Sequence, residues 1–181
     1  VEITYDQDTA LPNGIKGNFT PQPITSKEDA VKALLGVRTL LQITGSDFYC
    51  SRVSQDGDYT VYTIVQLYHA IPVEAGRFTI TAADNGEALS VIGSCCRDLD
   101  LNTAPRLTAA EGKKQIQLSS NNRVKSAELV IYSSKDTDPA LRLCWKYTIL
   151  SLDGLKKRTA YIDARTGEQV DLFTTIYGGQ D

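Results

Sequence analysis

The stretch from Leu141 to Tyr177 constrains the fold of this chain more than any other. Leu141, Leu143, Trp145, Tyr147 and Ile149 alternate with Arg142, Cys144, Lys146 and Thr148. That is the two-residue period of a strand with one face buried. Asp153-Gly154 follows, a dipeptide that tolerates the positive φ of a tight hairpin. The chain returns through Ala160, Tyr161 and Ile162, turns at Thr166-Gly167 and leaves through Val170, Leu172 and Phe173. Three consecutive antiparallel strands result. Trp145, the only tryptophan, sits mid-strand, where an indole serves as a core anchor rather than a ligand platform.

A chain of 181 residues is long enough to bury roughly 70% of its extended surface, as one large domain or two small ones. A net charge of −3 and a pI of 5.2 argue against a nucleic-acid footprint. No apolar run approaches the roughly 20 residues that span a bilayer. The chain contains no methionine, not even an initiator, which is expected of a piece processed from a longer precursor. Cys50, Cys95, Cys96 and Cys144 are an even set, open to two disulfides or to buried thiols. Zinc is disfavoured, because adjacent Cys95 and Cys96 lack the spacing that lets two thiolates share one ion.

Residues 1–24, with Pro12, Asn13, Gly14, Gly17, Pro21 and Pro23, read as loop with a short strand at Ile3 to Tyr5. A helix is predicted from Thr25 or Ser26, with Thr25 and Glu28 spaced as a capping box and Gly45 as its stop. Its apolar stripe would be Val31, Leu34, Val37, Leu40 and Leu41. Strands follow at Phe48 to Val53, Tyr59 to Tyr68, Arg77 to Thr81 and Leu89 to Ile92, with turns at Asp56-Gly57 and Asn85-Gly86. Pro72 cannot donate to a ladder, which places it at an edge or a bend. The pattern then restarts. Thr108 and Glu111 form a second capping box, opening a helix through Ile116, and Leu129 to Ile131 supply another strand. The predicted fold class is α+β, two tandem small modules, each a helix packed on an antiparallel β-meander, joined near Asp98 to Pro105.

No catalytic constellation accompanies this pattern. His69 is the only histidine, so a His-Glu-x-x-His metal helix cannot be assembled, and a serine triad could only use His69, which no Gly-x-Ser-x-Gly elbow accompanies. Asp98-x-Asp100-x-Asn102 opens like a calcium loop, but Thr103 stands where that loop needs glycine and Ala109 where it needs glutamate. Lys156-Lys157-Arg158 reads as a solvated hairpin. The expectation is a chain that is not an enzyme and binds no cofactor and no metal.

Two motif runs resemble a known family. Leu143, Trp145 and Tyr147, followed by Tyr161, Ile162, Asp163, Ala164, Thr166, Gly167, Glu168 and Val170, resemble the PepSY module in the propeptides of thermolysin-like metallopeptidases. Gln66, Tyr68, Ile71, Pro72, Val73 and Glu74, then Asp84-Asn85-Gly86 and Ser90-Val91-Ile92-Gly93, are similar to the fungalysin/thermolysin propeptide (FTP) module. Ala70 stands where that pattern usually has glycine. Within the first run, Asp163 is expected to accept from N–H groups of its turn and Gly167 to supply the left-handed residue.

The resemblance implies an FTP-like module over 1–102, with an N-terminal loop segment, and a PepSY-like module over 103–181, with a C-terminal tail, both cystatin-like in shape. It further implies a secreted or cell-envelope protein that inhibits, and helps to fold, the catalytic domain of a thermolysin-like zinc metallopeptidase. The peptidase-contacting segment would be the tail, Thr174, Thr175, Ile176, Tyr177, Gly178 and Gly179, laid extended against a cleft edge. The alternative is a free-standing extracytoplasmic PepSY-type module that binds or regulates a partner.

Overall fold

The computed structural model of the chain describes residues 1–45, 47–134 and 138–176, with the backbone alone at 138 and 139. The chain is mixed α+β and mostly strand, with ten strands and two helices among the described residues. It divides into two compact units, Val1–Leu99 and Asp100–Asp181, three residues earlier than the predicted boundary after 102.

The first unit contains β1 (Glu2–Tyr5), β2 (Pro12–Lys16), α1 (Lys27–Gly36), β3 (Asp47–Asp56), β4 (Tyr59–Tyr68), β5 (Ile71–Ala83) and β6 (Ala88–Ser94). Its strands pair antiparallel in the order β1-β2-β6-β5-β4-β3. β2 corrects the loop expected there. Pro12-Asn13-Gly14 looks like turn chemistry, yet Gly14 pairs with Thr4 on one side and Ile92 on the other. A Cβ on Gly14 would meet the Thr4 hydroxyl oxygen at 2.8 Å and the Val91 carbonyl at 3.0 Å. Glycine is required here by close strand approach, which local sequence does not reveal.

α1 starts at Ser26, not Thr25. The Asp29 N–H donates to Ser26 Oγ at 3.1 Å, while the Thr25 N–H and hydroxyl both donate to Asp29 Oδ2, at 3.1 and 3.0 Å. The cap is therefore one residue off the predicted Thr25–Glu28 box, and it is not reciprocal, since the Asp29 carboxylate bonds back to Thr25 rather than to Ser26. Those bonds from Thr25 hold the Asp29 carboxyl below the usual carboxylate range. The helix ends at Gly36, nine residues before Gly45, and the Val37 N–H closes it on Leu34 O at 3.1 Å. Beyond that point helical phase is lost, so Leu40 is 47% exposed while Val37 and Leu41 stay buried. Ala30 and Ala33 complete the buried face, packed with Ile24, Tyr62, Ile64, Phe78, Ile80 and Val91.

β5 is one strand of 13 residues, longer than the predicted Arg77 to Thr81, and Pro72 lies inside it, opposite Leu67 and just past a bulge in the β4–β5 register. A two-residue turn joins these strands: His69 and Ala70 have φ of 49° and 65°. Two consecutive positive φ values between Tyr68 and its partner Ile71 make a type I′ hairpin. Position 70 is thus one where glycine would be unstrained, the reason a glycine suits the pattern there.

The second unit contains α2 (Ala109–Lys113), β7 (Asn122–Ser134), β8 (Asp138–Ser151), β9 (Lys156–Asp163) and β10 (Gln169–Ile176). Its strands form an antiparallel meander in chain order. Both arms of the Thr108–Glu111 capping box are made, at 3.1 and 3.2 Å. α2 is shorter than predicted. From Lys114 to Ile116 each N–H reaches back only three residues, so the last turn tightens into 3₁₀ geometry. β7 runs far past the predicted Leu129–Ile131, because β8 offers it a partner along most of its length. One apolar cluster, Ile116, Tyr147, Ile149, Ala160 and Ile162 with half-buried Val124, Trp145 and Leu172, lies on one face of the meander. A second, Val130, Cys144 and Tyr161 with Tyr132 and Val170, lies on the other.

Candidate functional site at the β10 edge

The motif residues of the first unit are spent on architecture. Gln66 is fully buried in β4. Its amide donates from Nε2 to Cys96 O at 2.8 Å and accepts the Cys96 N–H on Oε1 at 2.8 Å, which mimics one rung of a β-ladder. Gly76 makes that position available, since a Cβ there would collide with Gln66 Oε1 and Cβ. Val73 is buried, Ile71 closes the hairpin opposite Tyr68, and the Tyr68 ring stacks on His69 at 4.0 Å and 18°. Gly93 has no room for a side chain against Arg77 O and the Phe78 Cα. His69 therefore stands in a strained hairpin turn, stacked on the Tyr68 ring.

The second unit uses its motif in the same way. Asp163 is buried, and its Oδ1 accepts the N–H groups of Arg165 and Thr166 at 2.8 and 3.0 Å. Gly167, at φ 81°, returns its N–H to Asp163 O at 2.9 Å. Arg142 bridges Asp163 and Glu168 from one guanidinium nitrogen, at 3.3 and 2.7 Å. Trp145 is half-buried against the core, and its indole N–H donates to Leu107 O at 2.9 Å. Tyr147 is fully buried and donates to Ala109 O at 2.6 Å. Tyr161 stacks face to face on Tyr132 at 3.7 Å and takes Phe173 edge-on at 6.3 Å.

What remains outward-facing is β10. Its start is anchored: a bulge lies between Gln169 and Asp171, the Tyr132 hydroxyl donates to Asp171 at 2.6 Å, and Leu172 packs into the core. Its end is different. Thr174, Thr175 and Ile176 pair with Arg158, Lys157 and Lys156 of β9, and no described strand pairs on the other side of β10. Phe173 is 50% and Ile176 66% exposed. Three of the six predicted tail residues are thus the paired end of a strand rather than a detached extension. Tyr177, Gly178 and Gly179 lie outside the described residues. Phe173 reads from the sequence only as a residue of the last strand, and Lys156-Lys157-Arg158 only as a charge run, since its register against β10 is a tertiary fact.

All four cysteines are free thiols: Cys50, Cys95 and Cys144 buried, Cys96 half-buried. Burial raises the Cys95 and Cys96 thiols, and pushes Cys144 up to about 12 with help from the nearby Asp163 charge. Such thiols are poor nucleophiles. Among the described residues no group of three His, Cys, Asp or Glu side chains is placed to hold a metal ion, and no helix is long and apolar enough to cross a membrane. Every buried side-chain nitrogen and oxygen among them has a hydrogen-bond partner.

No family model matches the chain, and no curated protein matches it. Among solved structures, the Bacillus megaterium YpeB C-terminal domain is similar over 95% of this chain and 80% of its own length, with a TM-score of 0.49 at 15% identity.

Proposed function

We propose that this chain is a non-catalytic propeptide module that inhibits, and assists the folding of, a secreted thermolysin-like zinc metallopeptidase, and that it meets the catalytic domain along β10. The observation that carries the reading is the end of β10, a strand with exposed Phe173 and Ile176 and backbone groups paired on one side among the described residues. An edge of this kind adds an extended partner segment by main-chain hydrogen bonding. The FTP-like and PepSY-like motif runs support it, as does a mixed α+β fold built mostly of antiparallel strands. Inhibition by a large complementary surface needs no catalytic group in the inhibitor.

The test is peptide hydrolysis by a thermolysin-like peptidase titrated with the purified chain. Slow, tight, stoichiometric inhibition, relieved as the chain is digested, is the expected result. No inhibition at micromolar concentrations sinks the proposal.

One observation favours a second reading, a free-standing extracytoplasmic binding module. Thr174 to Ile176 are held in the sheet by β9, so they do not form a loose strap able to thread a cleft. A chain that leaves the peptidase untouched yet captures a partner through β10 establishes this alternative.

A further inference from the structure

We infer that the β10 edge takes an acidic extended segment, selected by a row of cations that the fold lines up behind it. The inference rests on the reading of β10 as a contact strand and adds the chemistry of its partner. Two strands at the end of their sheets make the argument. β3 carries Asp47, Arg52 and Asp56 and a bulge between Cys50 and Arg52, the devices that keep an edge from pairing with another chain. From Leu172 to Ile176, β10 has no charge, no proline and no bulge. It is β-prone and undefended, as a strand built to be paired should be.

Charge says with what. The chain as a whole is acidic, at −3, yet one end of the second unit is basic. Pairing sets Arg123 opposite Leu150, Leu150 opposite Lys157 and Lys157 opposite Thr175, a single row across four strands. Arg158 lies opposite Thr174 and Lys156 opposite Ile176, with exposed Lys125 at the β7 bulge between Val124 and Ser126. Five cations gather there. The acid in the adjoining turn, Asp153, is engaged by the Ser151 hydroxyl at 2.5 Å and the Leu155 N–H at 2.9 Å. An added strand would lie about 4.8 Å beyond β10. The side chains between it and β9 are Thr174, Thr175 and Ile176, and over the two short threonines the Arg158 and Lys157 stems can reach. Because residues alternate faces, Lys157 serves one face of the incoming strand, and Arg158 and Lys156 the other.

The test uses a fluorescein-labelled peptide of about eight residues alternating Thr or Val with Glu, its Lys counterpart, and the Glu peptide interrupted by two prolines. Anisotropy with the full chain is read at about 50 and about 500 mM salt. The Glu peptide should bind at least about tenfold more tightly than either control at low salt, and the gap should narrow at high salt. Joint replacement Lys156→Ser, Lys157→Ser, Arg158→Ser should weaken it by about tenfold with the circular dichroism spectrum unchanged. Amide NMR shifts should move along 172–176. Equal binding of Glu and Lys peptides, shifts confined to the β8–β9 hairpin, or self-association through β10 without peptide binding overturns the inference. A chain that binds the Glu peptide but spares the peptidase removes the propeptide reading alone. A chain that inhibits the peptidase but ignores the Glu peptide removes this inference alone.

Discussion

α1 and α2 each contact strands of their own unit, but they are held by different forces. α1 has ten residues and buries Ala30, Ala33 and Leu34 against β3 and β4, with Val37 and Leu41 extending the contact. Area does the work, at about 25 cal/mol for each Å² of apolar surface removed from water. α2 has five residues and Gly112 as its buried one, too little surface for that mechanism. It is pinned instead by two aromatic side chains of β8, Trp145 reaching the carbonyl of Leu107 and Tyr147 that of Ala109. A helix short of apolar area is fixed by hydrogen bonds to carbonyls at and just before its start.

The sharpest way to break this contrast is Leu34→Ala. Leu34 is fully buried, so the truncation should cost about 3 kcal/mol. Hydrogen exchange should show it as lost protection of the α1 amides, and unchanged protection would refute the area argument. Next comes Gly112→Ala, expected to cost about 2 kcal/mol although alanine is the better helix former. Its Cβ would collide with the Tyr147 hydroxyl and lie 3.4 Å from Trp145 Cδ1. Trp145, the sole tryptophan, reports the loss directly as a lower urea midpoint.

Alkaline pH probes the same pin. Burial pushes the Tyr147 phenol up to about 12, from an ordinary value near 10. The fold keeps the proton that the unfolded chain releases. Its stabilisation is therefore complete below about pH 10 and is lost as pH rises through about 12. Cys144, also pushed up to about 12, widens the window downward to about pH 9. Tyr147→Phe should cost about 1 kcal/mol at neutral pH and flatten the decline of the Trp145 midpoint between about pH 10 and 11. An equally steep decline in the variant would show that the phenol is not the group responsible. The smallest effect is the control: Gly36→Ala in α1. No atom lies within 4 Å of its Cβ position, so the helix should gain about 0.5 kcal/mol, opposite in sign to Gly112→Ala. A loss would mean that the two glycines do not differ as their surroundings say.

What the sequence determined by itself is the chemistry closed within a few residues. The Thr108–Glu111 box forms because its partners are three residues apart. Asp56-Gly57, Asp153-Gly154 and Thr166-Gly167 turn where they stand, with glycine φ of 61°, 73° and 81°. β4 runs from Tyr59 to Tyr68, the predicted span, and Asp163 finds its N–H donors two and three residues on. The Ser26–Asp29 cap shows the margin of error, forming one residue past the predicted Thr25–Glu28 box. Tertiary structure decided the rest, because the partners are far apart in the chain. Gln66 binds Cys96 across 30 residues, Trp145 reaches Leu107 across 38, and Gly14 exists for Thr4 and Val91. β2 and the ends of β5 and β7 owe their existence to neighbouring strands, since a strand is only as long as the partner that satisfies its backbone. The candidate site belongs to this second class. Thr174 to Ile176 were visible as an uncharged segment and Lys156 to Arg158 as a charged one. Only the β9–β10 register places one beside the other.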